Sequence, residues 1–279
     1  ARMNEKNIRV TCPDVIDAGN RDFRAVYDRV WQMTLSADDD VPAYAEAVKS
    51  LQDATPPEAV RQTTTDACEL FQHAAQIKPT YAMLVKRLVG TMNADTSIPA
   101  GLKKMGRIVE KTLLKRPDAP GSADKVCDIV RGMVTCRKMG DIAELVRRLG
   151  AMGDAIVVTR VKDRFLQAAS DGGWRDCMVN FYVRDDPHRH ICEIQLVHHQ
   201  MLFARSGLPG HDVYDRVRNA DEIMRAMSVL RPVQPQTKAE LQELMVAWQR
   251  GGENRETHGP LNWWDVSKIT DMSELFNHD

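Results

Sequence analysis

No apolar run in this chain reaches the roughly 18 residues needed to cross a bilayer as a helix. The opening stretch ARMNEKNIRV lacks the apolar core of a signal peptide. Neither sign of charge dominates. The formal net charge is −1, so no global field draws the chain to nucleic acid or to a membrane, and any basic site has to be local. The six cysteines, Cys12, Cys68, Cys127, Cys136, Cys177 and Cys192, form no C-x-x-C pair. Several sit in apolar, strand-like runs. That favours buried reduced thiols over disulfides, and with them an intracellular, cytoplasmic setting.

What remains is a globular balance of 43% hydrophobic and 28% charged residues over 279 positions, enough for one large or two modest domains. Residues 1–98 read as a helical N-terminal region with little strand signal. Phe23, Val26, Val30 and Trp31 recur at helical spacing, and Pro42 opens a further helix. PPEAVRQTTTDACELFQHAAQ and KPTYAMLVKRLVGTM read as two more.

The pattern then changes. Strands are expected over 126–136, 155–163, 174–184 and 189–197, the last two joined by a turn at Asp185-Asp186-Pro187. Between the first two lies an amphipathic helix, GDIAELVRRLG, with Ile142, Leu145, Val146 and Leu149 on one face and Gly150 as its stop. Strand, helix, then three strands is an α+β plan: a sheet flanked by helices, not a βαβ repeat. HDVYDRVRNADEIMRAMSVL reads as a helix, residues 231–250 as a C-terminal helix, and 251–279 as a polar linker running into WWDVSKITDMSELF. The central domain is thus 99–230.

Three groups of residues could carry chemistry. Lys103, Arg107, Lys111 and Lys115 recur every fourth residue, which on a helix makes one cationic stripe. It is either a seat for a polyphosphate or a solvated face over Leu102, Met105, Val109 and Leu113. Asp128 begins an apolar strand, and alternation in HICEIQLV puts Glu193 and Gln195 on one face. A carboxylate within a central strand is costly unless compensated. The two acids either share one Mg²⁺ against phosphate oxygens or pair with arginines, Arg131 and Arg175 being candidates. His188, His190, His198, His199 and His211 fall close together, but without H-E-x-x-H or Cys/His ligand spacing.

In this order the pieces resemble the synthetase domain of the RelA/SpoT family over residues 99–230, most clearly in RVKDRF, SDGGWRDCMVNF and HICEIQL. The resemblance implies a nucleotidyltransferase-type mixed sheet and pyrophosphate transfer from ATP to the 3′-hydroxyl of a purine nucleotide. Carried over residue by residue, it makes Lys103, Arg107 and Lys111 the ATP-binding cations and Asp128 and Glu193 the Mg²⁺-binding acids. Asp128, Glu193 and Gln195 become the catalytic set. Lys162, Trp174 and Arg175 become nucleotide-binding residues, with Trp174 offering a flat face to a base. Four positions depart from the family pattern. Gly101 stands for an arginine, and Arg131-Gly132-Met133 replaces G-I-R. Ala168-Ala169-Ser170 lacks a P-K, and Asp176-Cys177-Met178 replaces S-L-H. The competing reading is a catalytically inactive nucleotide-binding or protein-interaction module of a larger multidomain protein. The tail resembles one unit of the BspA-like leucine-rich repeats. One unit cannot bury its apolar face alone, so the resemblance implies the start of an array through which a protein partner would bind.

Overall fold

The computed structural model describes residues 12, 15, 23–57, 59–114, 122–170, 173–206, 220, 233–249, 264, 266 and 268–271. The chain forms two compact units, 17–217 in one and 1–16 with 218–279 in the other. Among the described residues no helix is long and apolar enough to cross a membrane. None of the six cysteines is in a disulfide; five are buried and Cys68 is exposed.

In the larger unit a short helix α1 (Ala25–Val30) continues as a π turn to Leu35. Helix α2 (Val41–Asp53) starts with Pro42 in its first turn and buries Tyr44, Ala47, Val48 and Leu51. Helix α3 (Ala67–Val89) is capped by the Asp66 carboxylate, which accepts from the Glu69 amide at 2.7 Å. The sequence suggested two helices here, split before Pro79. The structure has one, running through Pro79. The ring removes one backbone hydrogen bond, yet the buried stripe Leu70, Ala74, Ile77, Tyr81, Val85 and Leu88 continues unbroken across it. Upstream, 59–65 is not helical.

Strand β1 (Asp95–Ser97) was not foreseen. It is three residues long and exposed, and it lies at the sheet edge, so it carries no alternation to read. Helix α4 (Met105–Leu114), strand β2 (Arg131–Cys136) and helix α5 (Met139–Ala151) follow, then β3 (Ile156–Asp163), β4 (Cys177–Val183), β5 (Cys192–His198) and helix α6 (His199–Ser206). The sheet order is β1-β2-β5-β4-β3. β2 runs parallel to β5 and the other pairs are antiparallel. This is a mixed five-stranded α+β sheet flanked by helices. Helix α5 lies against β2 and β5 while α2 and α3 pack on α5, so the N-terminal helices share one apolar core with the sheet.

Both central strands β4 and β5 are buried along nearly their whole length, so they read as apolar runs rather than as clean alternation. Strand β2 begins five residues later than its apolar run suggested, at Arg131. Before it, the Val126 and Cys127 carbonyls accept from the Gln62 and Asn180 side chains and the Ile129 carbonyl from the Lys103 amide.

In the smaller unit, helix α7 (Lys238–Gln249) packs Leu241, Leu244, Met245 and Trp248 against Val233, Trp264, Val266 and Ile269. Lys238 pairs with Asp271 at 3.1 Å. The helix expected at 211–230 lies outside the described residues except for Ala220, as does most of the repeat-like tail.

Candidate functional site

Asp128 and Glu193 both lie near the start of the parallel β2–β5 ladder. Glu193 is the register partner of Arg131, three residues beyond Asp128, and its amide donates to the Val130 carbonyl at 3.0 Å. Asp128 therefore precedes β2 rather than lying on it, a correction to the expected pair of neighbouring strands. Another contact joins the segments that carry the two acids. The Asn180 side-chain amide, in the middle of β4, donates to both the Cys127 and Cys192 carbonyls, at 3.5 and 3.2 Å. Those are the residues immediately before each acid.

Around Asp128 the charge is balanced locally. Its Oδ2 forms an ion pair with the Lys103 ammonium, both side chains being largely buried, and Arg131 Nη1 lies 3.9 Å from the same oxygen. Glu193 is 8% exposed, and its Oε1 accepts from the Gln195 side-chain amide at 2.9 Å. The shared face of Glu193 and Gln195 follows from strand alternation. Arg175 does not join Glu193. It pairs with Asp28 at 3.1 Å, donates to the Phe165 carbonyl at 3.0 Å, and sits 5.3 Å from the centre of the Trp31 ring.

The basic stripe divides. Lys103 precedes helix α4, its amide donating to the Ile129 carbonyl at 3.2 Å, and so it faces Asp128 instead of sharing a helix face. Arg107 is half-buried on α4. Lys111 belongs to α4, but its side chain, like all of Lys115, lies outside the described residues.

Lys162 is exposed on β3. Its neighbour Asp163 is buried and accepts from the Tyr44 hydroxyl at 2.8 Å and from the Phe165 and Leu166 amides at 3.0 and 3.1 Å, which ties the loop after β3 to helix α2. In that loop Gly173 has φ +83°, and a Cβ there would lie 2.7 Å from the Arg24 Cα, so the turn needs glycine twice over. Trp174 follows and is 9% exposed. Tyr27 meets its ring edge-on at 5.4 Å, and the Arg205 guanidinium lies 4.9 Å from the ring centre. Its Nε1 donates to Asp176 at 3.1 Å. The flat face expected to receive a base is thus covered by a cation. Burial pushes the Asp176 carboxyl up, against the pull of Arg164, which donates to it at 2.7 Å.

Three residues with evident roles in building the site were missed: Asn180, Gln62 and Tyr81. A lone Asn inside CMVNFYV was a legible signal, since a buried carboxamide in a central strand must have partners. The histidines separate into two places. His73 and His188 stack at 3.6 Å, beside a buried His190 whose ring nitrogens have no hydrogen-bond partner. Burial pushes the His190 imidazole down to about 4; Asp186 opposes this, while His73 and His188 add to it. His198 sits apart, its Nε2 2.8 Å from the Arg137 carbonyl, and His211 lies outside the described residues. Among the described residues no three His, Cys, Asp or Glu side chains converge as a metal cage.

No family model matches the chain, and no match was found among curated proteins. Among solved structures it is similar to a Type VI effector in complex with its immunity protein (20% identity, 56% of this chain and 77% of that one, TM-score 0.38). It is also similar to small alarmone synthetase 1 from Bacillus subtilis bound to its product pppGpp (13% identity, 56% and 88%, TM-score 0.36). A third neighbour is a GTP pyrophosphokinase family protein from Streptococcus pneumoniae (16% identity, 57% and 87%, TM-score 0.36).

Proposed function

We propose that the chain is a pyrophosphokinase-like transferase that moves the pyrophosphoryl group of ATP to the 3′-hydroxyl of a purine nucleotide, with Mg²⁺. One observation carries the reading. Cys127 and Cys192, the residues just before Asp128 and Glu193, share the side-chain amide of Asn180, and this shared anchor supports a placement of the two acids beside one another. The motif-level resemblance of RVKDRF, GGWRD and HICEIQL supports it independently.

Two carboxylates fit Mg²⁺ better than a larger cage would, because this ion is usually held by one or two acids plus substrate phosphates and water. Asp128 and Glu193 would hold it. When bound, it supplies charge neutralisation at the phosphoryl oxygens. The chain's own groups do the rest. Lys103 pairs with Asp128 and would bring a cation to where a triphosphate would lie, and Arg107 would extend that charge along α4. Gln195 donates to Oε1 of Glu193 and so orients the carboxylate, which would accept the proton of the attacking hydroxyl. The hydroxyl oxygen bonds to the β-phosphorus, the bond from that phosphorus to the α–β bridging oxygen breaks, and AMP leaves.

A second reading is favoured by the covered Trp174 ring and by the Lys103–Asp128 pair: a nucleotide-binding or protein-interaction module without turnover. Labelled ATP with GDP and GTP, with and without Mg²⁺, separates the two. In the enzyme, Glu193→Gln removes product formation and leaves ATP binding measurable. If the wild type forms no product with any acceptor, the transferase reading fails.

A further inference from the structure

The β2–β5 ladder begins at Arg131 and Glu193, yet the chain before β2 already runs beside the chain before β5. Two side-chain amides hold it there. Gln62 Nε2 donates to the Val126 carbonyl at 3.0 Å and to the Ile191 carbonyl at 3.1 Å, while its Oε1 accepts from the Ile191 amide at 2.9 Å. One residue further along both segments, Asn180 Nδ2 spans the Cys127 and Cys192 carbonyls. One residue further again come Asp128 and Glu193.

We propose that Gln62 and Asn180 are positioning residues, two successive side-chain rungs that set Asp128 beside Glu193 so that the pair binds a divalent cation with a nucleoside triphosphate; this rests on the acid-pair reading above. Carbonyl faces carbonyl at both rungs, and only a donor placed between them can join the segments. A carboxamide supplies one N–H to each side. The orientation of Asn180 is fixed by charge. Arg160 Nε and Nη2 donate to its Oδ1 at 2.9 and 2.7 Å, so a flipped amide would turn N–H groups toward the guanidinium and an oxygen toward two carbonyls. The register shift between Val158 and Arg160 on β3 is the kind of bulge that aims a side chain out of sequence with its strand. Both amides are buried, Gln62 at 6% and Asn180 at 0% exposure, so water does not replace the lost bonds cheaply.

The test uses the full chain with Mn²⁺ as probe, its binding in the presence of ATP followed by electron paramagnetic resonance. ATP affinity without metal is measured alongside by calorimetry, and amide hydrogen exchange reports the backbone. In Asn180→Leu and Gln62→Leu we expect Mn²⁺ affinity to fall by about ten-fold or more, as for other residues that orient ligands. Metal-free ATP affinity should not change, and exchange should quicken at 126–130 and 191–193 while the β3–β4 amides hold. Asn180→Asp keeps the shape and the Arg160 contact but removes the bridging donor, and serves if Asn180→Leu does not fold. Folded variants that bind Mn²⁺ like the wild type overturn the inference and leave the acid-pair reading standing. A wild type that binds no Mn²⁺ with ATP overturns both. Exchange that quickens throughout the sheet, or loss of fold in all three variants, makes the rungs structural only and also overturns it.

Discussion

Tyr81 on helix α3 donates its hydroxyl hydrogen to the backbone carbonyl of Glu193 at 2.7 Å, through a gap in β2 that exists because residue 132 is glycine. A Cβ at Gly132 would lie 2.7 Å from the Tyr81 oxygen and 3.3 Å from Ile98. The helix thus grips the strand at the acid itself. Burial pushes the Tyr81 phenol well above its usual value, so it remains a donor throughout the working pH range.

Gly132→Ala is expected to cost about 1–3 kcal/mol by overpacking. Tyr81→Phe should cost about 1 kcal/mol through the loss of one buried hydrogen bond to the Glu193 carbonyl. The double variant should cost less than the sum, because removing the hydroxyl opens space for the new methyl. Urea denaturation of the four proteins checks it; strict additivity would show that the two residues do not meet.

Breaking the buried Lys103–Asp128 pair should be harmful in a way that surface pairs are not. Lys103→Met removes the nearest cation from a largely buried carboxylate that Arg131 approaches less closely, and a cost of about 3 kcal/mol is expected. Lys49→Met, which breaks an exposed pair with Asp53, should change stability by less than about 0.5 kcal/mol. Equal melting curves for the two variants would mean that Lys103 does not compensate Asp128.

Much of this was legible in the sequence, for reasons of range. The helix at 139–151 and the shared face of Glu193 and Gln195 follow from periodicity over a few residues. The partners of those residues do not. Gln62 meets Ile191 across 129 positions and Tyr81 meets Glu193 across 112, and no local pattern encodes such contacts. Strand β2 was drawn too long because 126–130 is as apolar as a strand, while the Val126 and Cys127 carbonyls bond to side chains and the Ile129 carbonyl to the Lys103 amide. Trp174 was taken for a platform because an exposed and a buried indole look alike in sequence. Only the fold brings Arg205 and Tyr27 to it.

Acid should weaken the fold through His190. Its folded value is depressed to about 4, against 6.5 for an open imidazole. A depressed base contributes its stability in full above the unfolded value and loses it as pH falls toward the folded one. Between pH 7 and pH 4 the loss should approach about 3 kcal/mol. The groups facing it are Asp186, whose carboxylate accepts from the His188 and His190 amides, and the stacked His73 and His188, with Glu69 3.8 Å from His73. His190→Phe keeps the volume and removes the titration. Denaturation at a series of pH values should show a shallower acid slope in the variant, and an unchanged slope would assign the acid sensitivity to other groups.

The Trp174 ring offers the sharpest separation between a binding site and a packed core. On the proposed function, an acceptor base has to take the place that Arg205 now holds over the indole, since both interact with the same π face. Arg205 is only half-buried on α6, so Arg205→Ala should leave the fold intact and uncover that face. A cation–π contact at a partly exposed site contributes about 0.5–1 kcal/mol, so GDP should bind the variant about two- to five-fold more tightly than the wild type. Trp174→Leu should abolish that gain, and it should also cost about 3 kcal/mol of stability because the ring is buried against Tyr27. Calorimetric titration of GDP into the three proteins, with melting curves in parallel, gives both readouts. If Arg205→Ala binds GDP no better than the wild type and Trp174→Leu changes stability alone, the indole belongs to the core and the acceptor, if there is one, binds elsewhere.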